Sequence, residues 1–291
     1  MASLREVKDR IGSVRSTLKI TSAMKLVASA KLRKAQRAIE GMRPYERTLA
    51  EILAAVGANS SFAGSSGESP AAIIAVASNS SLCGGFNANV VRKAVETIRA
   101  CEGEVELYPV GRKMADGLRR AGYTAQGDWN DLIGHPAYEK TAALARSLSD
   151  RFLAGELSRV LLIYTRFKSA SSQEPVVETW LPFEIPDQVG DDKSNRHSRL
   201  DRESQDDVKY ILEPSAEALA AQLLPQVLML KFHAAILDSA AAEQAARTIA
   251  MQTATDNAED LLGELTLEYN KGRQQKITAE ILDLLGGDQN R

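Results

Sequence analysis

Apolar side chains at both ends of the chain follow a helical beat, and those in the middle do not. Leu4, Val7, Ile11, Val14 and Leu18 alternate spacings of three and four, the seam of a heptad. Ser3 and Glu6 stand where a capping box would open that helix. Over 20–36 the beat blurs into Ile20, Met24, Val27 and Leu32 among many Ala, Ser and Lys residues. It resumes at Ala38, Met42, Tyr45, Leu49, Ile52 and Val56, across Gly41 and Pro44, where a kink is expected. A continuous helix over 3–57 would be about 80 Å long and would need a partner along its length.

After a Ser/Gly loop at 58–70 the pattern changes. Residues 71–77 are a continuous apolar strand, followed by the turn SNSSLCGG and a helix over 86–100. Strands are expected at 105–110, 160–167 and 176–181, and helices at 112–121 and from His135-Pro136 to about Leu153. Strands alternating with helices predict a βαβ-type sheet. Residues 187–207 are polar and mostly charged, a loop or solvated insertion.

From about Ser215 the helical beat returns. One register of fours and threes runs through Leu223, Val227, Leu230, Ala234, Leu237, Ala241, Gln244, Thr248, Met251, Thr255, Ala258, Leu262, Leu265, Tyr269, Gly272, Lys276 and Ala279. A periodic helix this long predicts a coiled coil. Its central positions are small or polar, which makes a thin, closely packed shaft. It also gives up burial energy of about 0.8 kcal/mol for each missing methylene, so such a shaft calls for outside support. The simplest topology is an antiparallel pair of terminal helices with the α/β module inserted at one end. The longer C-terminal helix would then project as a single helix.

Charge supports that pairing. Of a net −2, residues 1–47 carry +8 (12 Lys/Arg against 4 Asp/Glu) and residues 208–291 carry −5 (7 against 12). A basic arm also invites a nucleic-acid reading. The arm's few aromatics leave no stacking groups for single strands, and its own seam runs through the basic zone. Aromatics are only 5% of the chain.

Candidate chemistry is thin. Cys83 and Cys101 make no disulfide framework or zinc module, and His135, His197 and His233 are far apart. The turn after the first strand has one glycine pair and lacks both phosphate-loop signatures. Cys83 resembles a nucleophile elbow only loosely. The longest uncharged runs, 69–91 and 218–230, fall short of a bilayer span, and the N-terminus has no signal or transit pattern.

Four stretches carry a resemblance: KITSAMKLVASAKLRKAQ (19–36), SLCGGFNANV (81–90), ARTIAMQTATDNAEDLL (246–262) and LTLEYNKGRQQKITAEIL (265–282). In this order they resemble the gamma subunits of bacterial F-type ATP synthases. The resemblance implies an antiparallel coiled coil of the N- and C-terminal helices (1–57 and 208–291). A Rossmann-like α/β domain (71–186) would be inserted as a foot, with 187–207 as a polar loop. It also implies a central-stalk rotor that carries torque from a proton-driven membrane ring to the catalytic hexamer. Alpha and beta subunits would surround the shaft, and the epsilon subunit and c-ring would meet the foot. No catalytic residue, cofactor, metal or nucleic acid is expected, and the chain would lie peripherally on the cytoplasmic face of the bacterial membrane. Rotor-coupling contacts fall by resemblance on Met24, Lys25, Arg247, Gln274, Thr278 and Glu280.

Two departures stand out. Asn79-Ser80-Ser81 replaces an acidic–basic–Gly run before Leu-Cys-Gly, which weakens a carried-over charge contact there. The polar loop has no Cys, so thiol regulation of the photosynthetic kind is not expected. Arg247 also has an ordinary explanation, an ion pair with Glu243 four residues earlier. The competing reading is a Rossmann-type nucleotide-binding protein with coiled-coil arms.

Overall fold

The computed structural model describes residues 3–56, 69–134, 136–170, 172–183, 213 and 215–287. The expected loops at 58–70 and 187–207 fall largely or wholly outside the described residues, as do His135 and His197. Helix α1 (Leu4–Val56) runs 53 residues and α6 (Ala216–Gly287) runs 72, passing Pro44 and Pro225 without interruption. The capping box forms: Ser3 N–H donates to Glu6 Oε2 at 2.9 Å, and Glu6 N–H to Ser3 Oγ at 3.2 Å.

The two helices are antiparallel. A Cβ on Gly272 would lie 3.1 Å from Leu4, Thr255 Oγ1 donates to Thr21 Oγ1 at 2.9 Å, and Lys25 Nζ donates to Gln252 Oε1 at 2.8 Å. Position numbers thus rise on α1 as they fall on α6. Beyond Gly272 every described side chain of α6, residues 273–282, is exposed. The C-terminal helix therefore projects past its partner, as its greater length predicted.

The expected seam of α1 is corrected in its middle. Ile20, Val27 and Tyr45 are 60%, 56% and 55% exposed. The buried or half-buried line runs unbroken instead through Leu18, Thr21, Lys25, Ala28, Leu32, Ala35, Ile39, Met42, Glu46, Leu49, Leu53 and Val56. It keeps its phase by using small and polar residues where α6 also presents small ones. The more obvious aliphatic residues face outward.

Between the shaft helices lies a four-stranded sheet, β1 (Ala71–Val76), β2 (Val105–Val110), β3 (Arg159–Phe167) and β4 (Gln173–Leu181), in the order β2-β1-β3-β4. β1 is parallel to both neighbours, with Ile73 opposite Leu107 and Leu161, and β4 returns antiparallel from β3. Pro109 and Pro175 sit on the two edge strands, where a missing N–H costs least. β4 begins three residues earlier than its hydrophobic run.

Alternate residues of β1 serve two cores, which is why the strand is apolar throughout. Ile73, Ala75 and Ala77 pack with α2 (Phe86–Ala100) and α3 (Arg112–Arg120) through Val90, Ala94, Met114 and Leu118. Ala72, Ile74 and Val76 face the other layer, formed by α5 (Tyr138–Leu153), α6 and the end of α1. A short α4 (Asp131–Gly134) precedes α5. Trp180 Nε1 ties β4 to α6 by donating to the Leu228 carbonyl at 3.1 Å, and Thr141 Oγ1 lies 2.8 Å from His233 Nδ1.

This double coverage changes the reading of α6. An 18-residue window of it reaches a mean hydropathy of 1.3, enough by length and composition to cross a membrane, contrary to the sequence expectation. Half of that window is buried in the fold. Leu228, Phe232, Ala235 and Ile236 fill the sheet-side core, while Leu237, Ala241 and Ala245 pack with Leu32 and Ile39 of α1. A helix covered on two sides is apolar nearly all round without a bilayer.

Candidate coupling site where the shaft meets the inserted domain

In a doubly wound sheet, ligands bind outside the carboxyl ends of the strands where the strand order reverses. Here that point lies between β1 and β3, because the chain passes from β1 to β2 on one side and returns to β3 on the other. The turn at 77–86 leaves β1 there. Gly111 closes the same end of β2 with φ +96°, and a Cβ on it would meet the Ala77 carbonyl oxygen at 2.1 Å, so only glycine fits.

One side chain of the shaft enters the crevice. Arg247 of α6 reaches in and donates to Ser80 Oγ at 2.7 Å and the Ser81 carbonyl at 3.4 Å. Its other nitrogen donates to Glu243 Oε1 at 2.7 Å, one turn back. Both partners are buried, 8% and 6% exposed. Burial pushes the Glu243 carboxyl up, and the Arg247 charge pulls it back down.

The turn is fixed from the other side as well. Asn79 Nδ2 donates to the Asn130 carbonyl at 2.8 Å, and its Oδ1 accepts the Arg112 N–H at 3.0 Å. Asn87 Oδ1 accepts from the Ser78 hydroxyl at 2.9 Å and the Ser78 N–H at 3.1 Å. Below the turn, Cys83, Phe86 and Ala242 form a small apolar cluster. Burial pushes the Cys83 thiol up, which disfavours the thiolate a nucleophile requires. Beside Arg247 a groove of about 270 Å³ remains, lined by residues that include Cys83, Phe86, Thr165 and Ile249. Among the described residues, no group of three or more His, Cys, Asp or Glu is placed to hold a metal ion.

The six candidate contacts separate into two places. Met24 and Lys25 are half-buried on the shaft opposite the stretch after Arg247, with Lys25 held by Gln252. Gln274, Thr278 and Glu280 are exposed on the projecting tip. There Thr278 Oγ1 donates back to the Gln274 carbonyl at 2.9 Å, and Lys276 Nζ lies 3.8 Å from Glu280 Oε1. From Gln252 to Gln274 the helix rises about 33 Å, so tip and joint do not touch.

Sequence reasoning foresaw the Glu243–Arg247 spacing but not Ser80. The Asn79-Ser80-Ser81 departure was the available signal: short hydroxyl side chains leave room for a guanidinium from elsewhere. Thr255 was on the expected α6 register, whereas Thr21 and Gln252, which also bridge the shaft, were not singled out.

The fold is thus a two-helix shaft with an inserted doubly wound domain, joined at the turn after β1 by Arg247 of the shaft. The comparisons with known proteins agree. A family model described as ATP synthase matches residues 3–289. The ATP synthase gamma chain of Phocaeicola vulgatus is 47% identical over 300 residues, covering 99% of both chains. That of Anaeromyxobacter sp. is 41% identical over 299 residues, covering 99% of this chain and 98% of the other. The chain belongs to the ATP synthase gamma chain family. Among solved structures, a chain of the Euglena gracilis mitochondrial ATP synthase has the same fold, with a TM-score of 0.65 at 17% identity, covering 98% of this chain and 93% of that one. A chain of the Tetrahymena thermophila mitochondrial ATP synthase central stalk and c-ring gives 0.58 at 24%, covering 81% and 99%.

Proposed function

We propose that this chain is the central-stalk rotor of an ATP synthase, carrying torque between a proton-driven membrane ring and an alpha/beta hexamer. The observation that carries the reading is the joint at Arg247. Arg247 of the shaft helix holds the turn after β1, so foot and shaft turn together. The same turn lacks both phosphate-loop signatures, which argues against a nucleotide-binding protein with coiled-coil arms.

In this reading the chain has no catalytic residue of its own. Alpha and beta subunits surround the small-residue shaft and supply the support its thin seam calls for. The epsilon subunit and c-ring meet the foot. Residues 1–57 and 208–291 form the shaft, 71–186 the foot and 187–207 a polar loop between them. The chain sits peripherally on the cytoplasmic face of a bacterial membrane. Met24, Lys25 and Arg247 act at the joint, and Gln274, Thr278 and Glu280 at the tip.

Expression of the tagged full chain in a cell carrying the other subunits tests the reading. Alpha and beta chains should co-purify, and the recovered assembly should hydrolyse ATP. Recovery of the chain alone, with tightly bound nucleotide, would overturn it.

A further inference from the structure

A second contact between shaft and foot lies apart from Arg247. It is a cleft of about 250 Å³ between α1, α6 and the β3–β4 hairpin. Charged groups enter from every wall: Glu46 from α1, Tyr164 and Arg166 from β3, Glu178 from β4, and Lys231 and Asp238 from α6, with Arg43 of α1 nearby.

The cations act on the carboxylates of the cleft only through space: the Lys231 and Arg43 charges lower Glu46, and those of Arg43 and Arg166 lower Asp238. Arg166 donates to Glu178, which also accepts the Tyr164 hydroxyl at 3.2 Å. Lys231 Nζ stands 4.7 Å over the Phe183 ring. Arg43 is exposed, so solvent weakens its pull. Glu46 and Asp238 are left half-buried, facing one cleft, with no hydrogen-bond or ion-pair partner among the described residues.

We propose that this cleft is a proton-responsive joint, in which proton uptake by Asp238, coupled to Glu46, closes the foot against the shaft. A charged carboxylate there lacks a partner and favours opening, which lets water in; a neutral one does not.

Burial raises Asp238 to about 6 from an ordinary 3.8, the Glu46 and Glu178 charges adding to the rise against Arg43 and Arg166. Burial also raises Glu46. The sign follows. The closed state binds the proton more tightly than the open one, so closure strengthens as pH falls from above 6 toward 4 and weakens as it rises.

Hydrogen exchange of the full-length chain, corrected for intrinsic rates, tests this. Between pH 8 and pH 5, protection over 231–241 and 43–49 should rise about tenfold, the factor expected when opening restores an ordinary carboxylate. Asp238→Asn should be protected at both pH values, with only the smaller slope that Glu46 contributes. Glu46→Gln should show a smaller rise, displaced to lower pH. Residues 86–100 and 112–120, packed on the far face of the sheet, should stay flat. A flat wild-type profile, an unchanged slope in Asp238→Asn, or an equal slope over those two helices would overturn the proposal. Should Asp238→Asn fail to fold, a wild-type slope in Glu46→Gln overturns it instead.

Discussion

Arg247 and Glu243 form a buried ion pair whose spare donor is used by a serine 167 residues away in sequence. Removing one member of such a pair strands a charge, which costs about 3–5 kcal/mol, whereas the intact pair adds little over an apolar replacement. Arg247→Ala should therefore lower the unfolding free energy of the full chain by an amount in that range, as measured by denaturant unfolding. Glu243→Gln combined with Arg247→Gln should cost much less than the two single changes together, because both charges leave at once. Additive losses would show that the residues do not act as a unit. The pair itself was legible in the sequence, since it is a four-residue spacing on one helix. Ser80 was not, because the short hydroxyl side chains of SNSSLCGG leave room for a guanidinium without saying that it arrives from a helix at the far end of the chain. The resemblance in sequence pointed to Arg247, and only the fold shows where its hydrogen bonds go.

Among elements, the strands were the most legible, because a strand buried on both faces is apolar at every position. β4 was seen late: Gln173, Glu174 and Pro175 open it on an exposed edge, where polarity carries no penalty. The seam of α1 was misread for the opposite reason. Ala28 and Thr21 are 1% and 8% exposed while Ile20 is 60% exposed, so hydrophobicity pointed to the wrong face. Interhelical closeness selects for size there. Ala241 and Ala234 both lie on the α6 register, and the structure separates them. Ala241 is fully buried and packs with Leu32 and Ile39 across the shaft. Ala234 is half-buried and borders the cleft, where there is room. Ala241→Leu should destabilise the chain by about 1–3 kcal/mol through overpacking, and Ala234→Leu by clearly less. Thermal unfolding of the two full-length variants compares them directly; equal losses would mean that the shaft is not closest-packed at Ala241.

For the whole molecule, one helix serves both ends of the device. α6 is locked into the foot at Arg247, pairs with α1 as far as Gly272, and then continues alone. A tip with every side chain exposed adds little to the fold, so its sequence answers to what surrounds it. On the tip Ile277, Ile281 and Leu282 are 46%, 51% and 62% exposed. Gln274, Thr278 and Glu280 occupy this same stretch and make only local contacts there. A triple change to alanine should leave the unfolding free energy of the chain within about 0.5 kcal/mol of wild type, as surface substitutions generally do. Loss of stability would place these residues in the fold rather than in a bearing. If they bear on the surrounding subunits, proton-driven ATP synthesis by the reassembled complex should fall while the amount of complex recovered stays constant. Arg247→Ala should show the reverse order, with stability failing first. The two variants thus separate a residue that holds the rotor together from residues that transmit its motion, and a triple variant with unaltered synthesis would remove the tip side chains from the coupling path.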